Sequence, residues 1–411
     1  MLPHDDGQIA RPALRPEVRP AGEPRNDRLK RILHVTAAYA THEGMARTAT
    51  ELAERIPRLD HDLCTNELRT PAPPFSSICE VGGSMPFFPL TRAKAIRALI
   101  AKRRSDLVHL HGGVLATLLA HSRAFPLPVV ASVYGWAGPP SRTELRASNV
   151  SELRGSPIAQ TRVVLAGLLP DRLVRHALGP GGPIRGVLTQ DLEVARKLQR
   201  LSAVPVRLAE FGSGVDGRRA APPGKQPVVV FSGRAETARG VDVVVDAMPE
   251  VVRRCPSARL RLLLLPAPQL GHVEQRVRLS PARYAIDVVT DPSPDLRQEL
   301  AAATVAAFPF KFDHVAPAPP LTVVEAMSVG LPVVVTPVRC MEPVIEARKA
   351  AIVVPPRDPA ATARAIVAAL EPVRWRRLSE EALGLVSDRW NWDNAARITS
   401  ALYAEVLHLG H

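Results

Sequence analysis

Aromatic residues are scarce, at 4% of the sequence, so any core must be built mainly from Val, Leu, Ile and Ala. Cysteine is scarcer still. Cys64, Cys79, Cys255 and Cys340 show no CxxC spacing and no histidine-rich company. A disulfide framework and a zinc site are therefore not expected, and the four read as small buried hydrophobes. No apolar run approaches the roughly eighteen residues of a membrane span, and the opening MLPHDDGQIARPALRP has no apolar signal core. Blocks of a single charge are also missing. The 53 Lys+Arg against 40 Asp+Glu give +13, but the excess is dispersed. It reads as the habit of an Arg-rich chain, and no nucleic-acid partner is expected. The expected location is cytoplasmic, with peripheral contact to a membrane surface left open by the short basic amphipathic stretch TRAKAIRALIAKRRSD.

What is present is length and aliphatic content. At 411 residues with 46% hydrophobic, the chain is long enough for two domains with sizeable cores. Residues 1–29 mix Pro, Arg and acids without periodicity and read as a disordered leader. From residue 30, apolar β-branched runs alternate with amphipathic helices such as Met45–Arg55, Arg92–Arg104 and Ile158–Leu178. Strands are expected at Ile32–Thr36, Asp106–His111, Pro128–Val133, Gly186–Gln190 and Val206–Phe211. After the Gly/Pro-rich GVDGRRAAPPGKQ, a second series follows at Val228–Ser232, Arg259–Leu265, Tyr284–Thr290, Val305–Pro309, Pro332–Thr336 and Ala351–Val354. The final stretch, Arg374–Leu409, is helical by pattern. This is the signature of an α/β chain with parallel sheets covered on both faces. The expected layout is a domain over 30–215, a second over 216–385, both Rossmann-like and doubly wound, and a helix over 386–411 that returns to the first. Ligands in such sheets sit beyond the carboxyl ends of the strands, so the cleft between the two is the expected site.

Two stretches carry chemistry. In PVVVFSGRAETARGVDVVVDA, a buried strand ends at Ser232–Gly233, and Arg234 and Arg239 follow it. Two guanidinium groups at a strand end suit a diphosphate, because Arg binds phosphate oxygens in bidentate fashion. As surface charges alone they would carry no chemistry. In APAPPLTVVEAMSVGLPVVVTPV, Pro319–Pro320 should start a helix, with a proline at its first position. The Leu321 and Thr322 N–H groups and the Thr322 hydroxyl would then meet an anion. Glu325 lies one turn in, where it could meet a ribose or merely complement the helix dipole. The helix should stop at Gly330.

Together these stretches resemble the nucleotide-sugar half of the family 4 glycosyltransferases of GT-B fold. Arg234 and Arg239 match that family's basic pair, and Glu325-Ala-Met-Ser-Val-Gly-Leu-Pro-Val-Val matches its EAMxxGxPVV segment. In the first half, Gly44 and Met45 resemble part of the family's Gly-Gly loop, with Glu43 in place of the first glycine. DLVHLHGG, ending in His111 and Gly112, resembles its Asp-x-x-His-x-His strand, and SDRWNWDNAARITSALYAEV its C-terminal Trp-containing helix. The resemblance spans roughly residues 31–409.

It implies transfer of a sugar from a nucleoside diphosphate sugar to an acceptor hydroxyl, with retention of configuration. Arg234 and Arg239 would hold the diphosphate and stabilise its departure, Glu325 would bind the ribose, and the Gly44–Met45 backbone would approach the donor. The resemblance also implies no need for a metal, and no DxD-type acidic pair stands at a strand end to hold one; no cofactor is expected beyond the donor itself. The sequence departs from the family at Pro317, where a glutamate normally contacts the donor sugar, and at Pro319–Pro320, which replaces Phe-Gly. Asp313, four residues upstream of Pro317, is the candidate substitute. Tyr134 stands where the family often has His; Tyr134 and His111 are the remaining catalytic candidates, with His109 nearby. Two alternatives follow: a transferase for a deoxy or modified sugar, or a non-catalytic partner subunit. The nucleotide base, the sugar and the acceptor are not readable, and loop 137–155, on the acceptor side, has no motif.

Overall fold

The computed structural model describes residues 29–408, apart from 38, 40–43, 72–73, 84–87, 113–124, 135–168, 183, 214–216, 291–295, 314 and 347–349. The expected leader, Glu43, loop 137–155 and the first part of the helix expected at Ile158–Leu178 lie outside the described residues.

The chain builds two wholly parallel sheets. The first contains β1 (Arg31–Thr36), β2 (Asp60–Thr65), β3 (Ser77–Glu80), β4 (Leu107–Gly112), β5 (Val129–Val133), β6 (Ile184–Thr189) and β7 (Val206–Leu208), in the order β3-β2-β1-β4-β5-β6-β7. The second contains β8 (Val228–Arg234), β9 (Arg259–Leu265), β10 (Ile286–Val289), β11 (Val305–Phe308), β12 (Val333–Val335) and β13 (Ala351–Val353), in the order β10-β9-β8-β11-β12-β13. Both are doubly wound, as expected. In each, the strand order reverses beside the first strand: between β1 and β4, and between β8 and β11.

The longer helices are α1 (Gly44–Arg55), α2 (Ala93–Arg103), α3 (Asp171–Ala177), α4 (Leu192–Leu201), α5 (Val241–Arg254), α6 (Leu270–Leu279), α7 (Leu296–Ala301), α8 (Leu321–Ser328), α9 (Pro359–Ala369), α10 (Pro372–Asp388) and α11 (Trp392–His408). The expected final helix is two, broken at Arg389–Asn391. The last of them, α11, crosses back to the first sheet. Trp392, Leu402, Tyr403 and Val406 are buried there against Ile32, Leu107, Val130 and Leu188.

Strands β2 and β3 were not expected from the sequence. Asp60-His61-Asp62 looks like a turn, yet His61 and Asp62 are buried. Arg103 of α2 accounts for Asp62, donating to both carboxylate oxygens at 3.0 and 3.1 Å. The basic helix α2 buries Ile96, Leu99 and Ile100 on the sheet and exposes Lys94, Arg97 and Lys102. The expectation of four buried cysteines holds for Cys64 and Cys340; Cys79 and Cys255 are half-buried, and all four are free thiols.

Candidate active site

In the second sheet the switch point lies between the ends of β8 and β11. Strand β8 delivers Ser232, Gly233 and Arg234 to it, and a short 3-10 turn, Thr237–Arg239, brings Arg239 back beside Arg234. A residue missed in the sequence joins them. Glu236 is largely buried, and it accepts from Arg234 Nε at 2.9 Å and from Arg239 Nε at 3.3 Å. The Arg239 guanidinium also donates to the Val315 carbonyl at 3.1 Å and lies 5.7 Å from the Phe310 ring centre. Both arginines are thus oriented by one carboxylate, which uses their Nε groups. No local sequence pattern marks Glu236, because its partners are set by the turn.

Helix α8 follows β11 and opens on the same end of the sheet. The expected placement of a proline at its first position needs correction. Pro320 is the N-cap in extended conformation, no side chain caps the helix, and the first helical residue is Leu321. The Leu321 and Thr322 N–H groups belong to the first turn, where no intrahelical acceptor exists. Thr322 Oγ1 and Ser232 Oγ are both buried without a hydrogen-bond partner. Thr322 packs on the end of β8, since a Cβ on Gly233 would lie 4.0 Å from its methyl. The helix ends at Ser328, two residues before the Gly330 that the sequence marks as its stop. Asp313 is engaged elsewhere: its Oδ1 accepts the Arg339 N–H at 2.8 Å.

In the first sheet the switch point lies between β1 and β4. Helix α1 begins at Gly44 and Met45, and Met45 and Leu321 both pack on the cluster that contains Tyr134 and Phe211. The two switch points therefore face each other. They are joined by a second residue missed in the sequence: Arg47, in the first turn of α1, donates from Nη1 to Oε1 of Glu325. The Glu325 side chain is 5% exposed and that of Arg47 20%. Arg47 also lies 3.6 Å from Glu51, which pairs with Arg55, which reaches Asp393 of α11 at 3.0 Å. Burial pushes the Arg47 guanidinium below its ordinary pKa; Glu51 opposes this and nearby Arg297 adds to it. A second clasp crosses the cleft where Arg339 meets Asp191 at 3.0 Å and Glu193 at 3.1 Å.

His111 and Tyr134 are bonded to each other. They belong to a buried chain. The Ile56 carbonyl can only accept, so His61 carries its proton on Nε2, 3.0 Å away. His61 Nδ1 then accepts from His34 Nε2 at 2.9 Å, and His34 Nδ1 accepts from His111 Nε2 at 2.9 Å. His111 Nδ1 accepts from the Tyr134 hydroxyl at 2.8 Å. This assignment follows from the hydrogen-bond network with every ring neutral. Burial favours neutrality: it pushes His111 down to about 3 and, aided by the neighbouring rings, holds His34 and His109 well below the usual range. His111 is therefore a poor base near neutral pH. The Tyr134 proton is committed to His111, and burial raises its pKa above the ordinary value. His109 sits beside this chain, bonded to Tyr403 of α11 and to Ser132 at 2.8 Å. Nitrogens of His34, His109 and His111 lie within 4.8 Å of one another, a spacing that a metal ion could bridge. Every one of those nitrogens already has a hydrogen-bond partner, so a metal would have to displace the network.

Residues 226–372, which include β8 to β13, match the family model of group 1 glycosyl transferases. Two curated relatives are both named D-inositol 3-phosphate glycosyltransferase. That of Jonesia denitrificans is 26% identical over 183 residues, covering 43% of this chain and 42% of the relative. That of Corynebacterium urealyticum is 23% identical over 239 residues, covering 53% of this chain and 55% of the relative. The chain thus spans about half the length of the curated relatives it matches. Among solved structures, sucrose-phosphate synthase of Thermosynechococcus elongatus superposes with a TM-score of 0.70 at 17% identity, over 93% of this chain and 100% of that one. A glycosyltransferase of Rickettsia africae gives 0.65 at 15%, over 92% and 99%. HepE of Anabaena, in complex with UDP and glucose, gives 0.64 at 14%, over 91% and 99%. The fold is that of the GT-B glycosyltransferases, and the half of the chain that carries Arg234, Arg239 and Glu325 is the half that matches the group 1 model.

Proposed function

We propose that this chain is a glycosyltransferase that moves a sugar from a nucleoside diphosphate sugar to an acceptor hydroxyl, with retention and without a metal. One observation carries the reading. The switch-point crevices of the two sheets face each other, and the second presents two oriented guanidinium groups, an uncapped helix N-terminus and two unpartnered buried hydroxyls. Such a set fits a diphosphate. The nucleotides in the complexes of HepE and the name of the curated relatives agree with it.

On this reading residues 30–215 form the acceptor side, 216–385 hold the nucleotide sugar, and 386–411 return to the acceptor side. The ribose hydroxyls donate to Glu325, and Arg234, Arg239, Leu321 N–H and Thr322 hold the diphosphate, with Gly44 and Met45 facing it. The bond from the sugar's anomeric carbon to the β-phosphate oxygen breaks as the bond to the acceptor oxygen forms. The acceptor proton passes to the departing phosphate, so no protein base is required, consistent with the low basicity of His111. The cations and the helix N-terminus stabilise charge as it develops on the leaving group.

A second reading, a non-catalytic partner subunit, is favoured by the sugar subsite: Pro317 has no carboxylate and Asp313 caps Arg339. The two separate in a thermal-shift series with nucleoside diphosphates and their sugars. A ligand at a hundred times its Kd adds about 2.7 kcal/mol. A clear shift is expected, and Arg234→Ala should lower diphosphate release from the donor by roughly 10²–10³-fold with little change in melting temperature. No shift with any nucleotide would favour the partner reading instead.

A further inference from the structure

The contact between Arg47 and Glu325 occupies the carboxylate that the proposed function gives to the ribose. Glu325 is nearly enclosed and its Oε1 is taken, so a ribose diol cannot have both its oxygens while Arg47 keeps its present position. Arg47 cannot simply be released either. Glu325 is its partner on the far side of the cleft, Arg297 is a like charge close by, and a buried guanidinium without an anion is costly. The residue does have an anchor: its Nε end stays near Glu51, itself tied through Arg55 to α11, so the guanidinium can turn about that end without leaving the cleft. It projects from the first turn of α1 onto Glu325 of α8, one turn after Thr322, whose buried hydroxyl has no partner. The anion that the donor would bring to this spot is its diphosphate.

We propose that Arg47 is a donor-binding residue supplied by the first domain, which exchanges the Glu325 carboxylate for the donor diphosphate and so frees Glu325 for the ribose. The inference rests on the proposed function and adds to it a third guanidinium and a reason for the two domains to respond to the donor. No bond is made or broken in the exchange. Its consequence is a division of roles: with Arg47 removed, a nucleoside loses nothing, because Glu325 is already open to it, whereas a nucleoside diphosphate loses a charged contact.

Calorimetric titration of the whole chain with uridine and UDP, and with the adenosine, guanosine and thymidine pairs, reads this directly. The measured quantity is the ratio of nucleoside Kd to diphosphate Kd for the pair the chain binds best. In Arg47→Gln that ratio should fall at least tenfold, with the nucleoside bound as well as before or tighter. Equal weakening of both ligands, or an unchanged ratio, overturns the proposal. If the variant does not fold, Arg47→Lys keeps the charge but loses the planar fork, and its ratio should fall at least threefold; an unchanged ratio there overturns it equally. Failure of the unmodified chain to bind any diphosphate would instead sink the proposed function, and this inference with it.

Discussion

Gly240 adopts φ +75°, and a Cβ placed there would lie 2.0 Å from the Pro309 carbonyl oxygen. It ends the turn that brings Arg239 beside Arg234 and starts α5. Gly240→Ala should cost about 3 kcal/mol or more, from left-handed strain together with backbone collision. Urea unfolding checks this, and a loss below about 1 kcal/mol would mean that the turn rearranges easily. At this scale the sequence was partly legible. Arg234, Arg239 and Glu325 stand out because they sit at fixed distances from a strand end or a helix start. Glu236 and Arg47 do not, because their roles depend on what the fold brings opposite them. Asp313 and Tyr134 were legible as positions but not as partners, since the Arg339 amide and His111 that engage them come from other segments.

At the level of elements, the strand pattern was readable where the runs are apolar. It failed at β2, whose polar residues are buried in company: His61 with His34, and Asp62 with Arg103. The histidines of β1, β2 and β4 also give the first sheet a pH dependence. Their folded pKa values lie below the unfolded value of about 6.5, so at pH 7.5 they are neutral in both states and the sheet has its full stability. As pH falls below about 6.5, the unfolded chain takes up protons that the fold refuses, and stability drops by about 1.4 kcal/mol per unit for each group. The window runs from about 6.5 down to about 3 for His111. His111 should account for a loss of about 2 kcal/mol by pH 5, with His34 and His109 acting in the same direction. Among the described residues, the charges acting on them are Asp60 and Asp62, on His61 from β2, while Tyr134, Tyr403 and Ser132 offer only hydroxyls. Urea midpoints at pH 7.5 and 5.0 test this; a difference worth less than about 1 kcal/mol would contradict the neutral chain.

On the scale of the whole molecule, the first sheet is not complete without the end of the chain. Helix α11 covers one of its faces with Trp392, Leu402, Tyr403 and Val406. It also bonds His109 through Tyr403 and reaches α1 through Asp393. A chain ending at Asp388 should expose that face and lose cooperative unfolding of the first domain, seen as loss of near-ultraviolet circular dichroism and as aggregation. A soluble, cooperatively melting product would show that α11 is dispensable. The two-sheet layout was legible in the sequence because each half repeats the same alternation, and so was the crossing helix. The facing of the two sheets was expected as well, but the contact of Arg47 with Glu325 was not legible, since it depends on how the crossing segments meet.

Those crossing segments touch. The Ser213 N–H donates to the Trp390 carbonyl at 3.1 Å, a Cβ on Gly212 would lie 1.9 Å from that same oxygen, and Arg389 grips Glu210 at 2.7 Å. Because the two segments are bonded side by side here, neither can move at this point without the other. Any opening of the cleft must therefore carry both segments together. Rupture of the Arg47 contact at one rim and of the Arg339 contact at the other then become two readings of the same displacement.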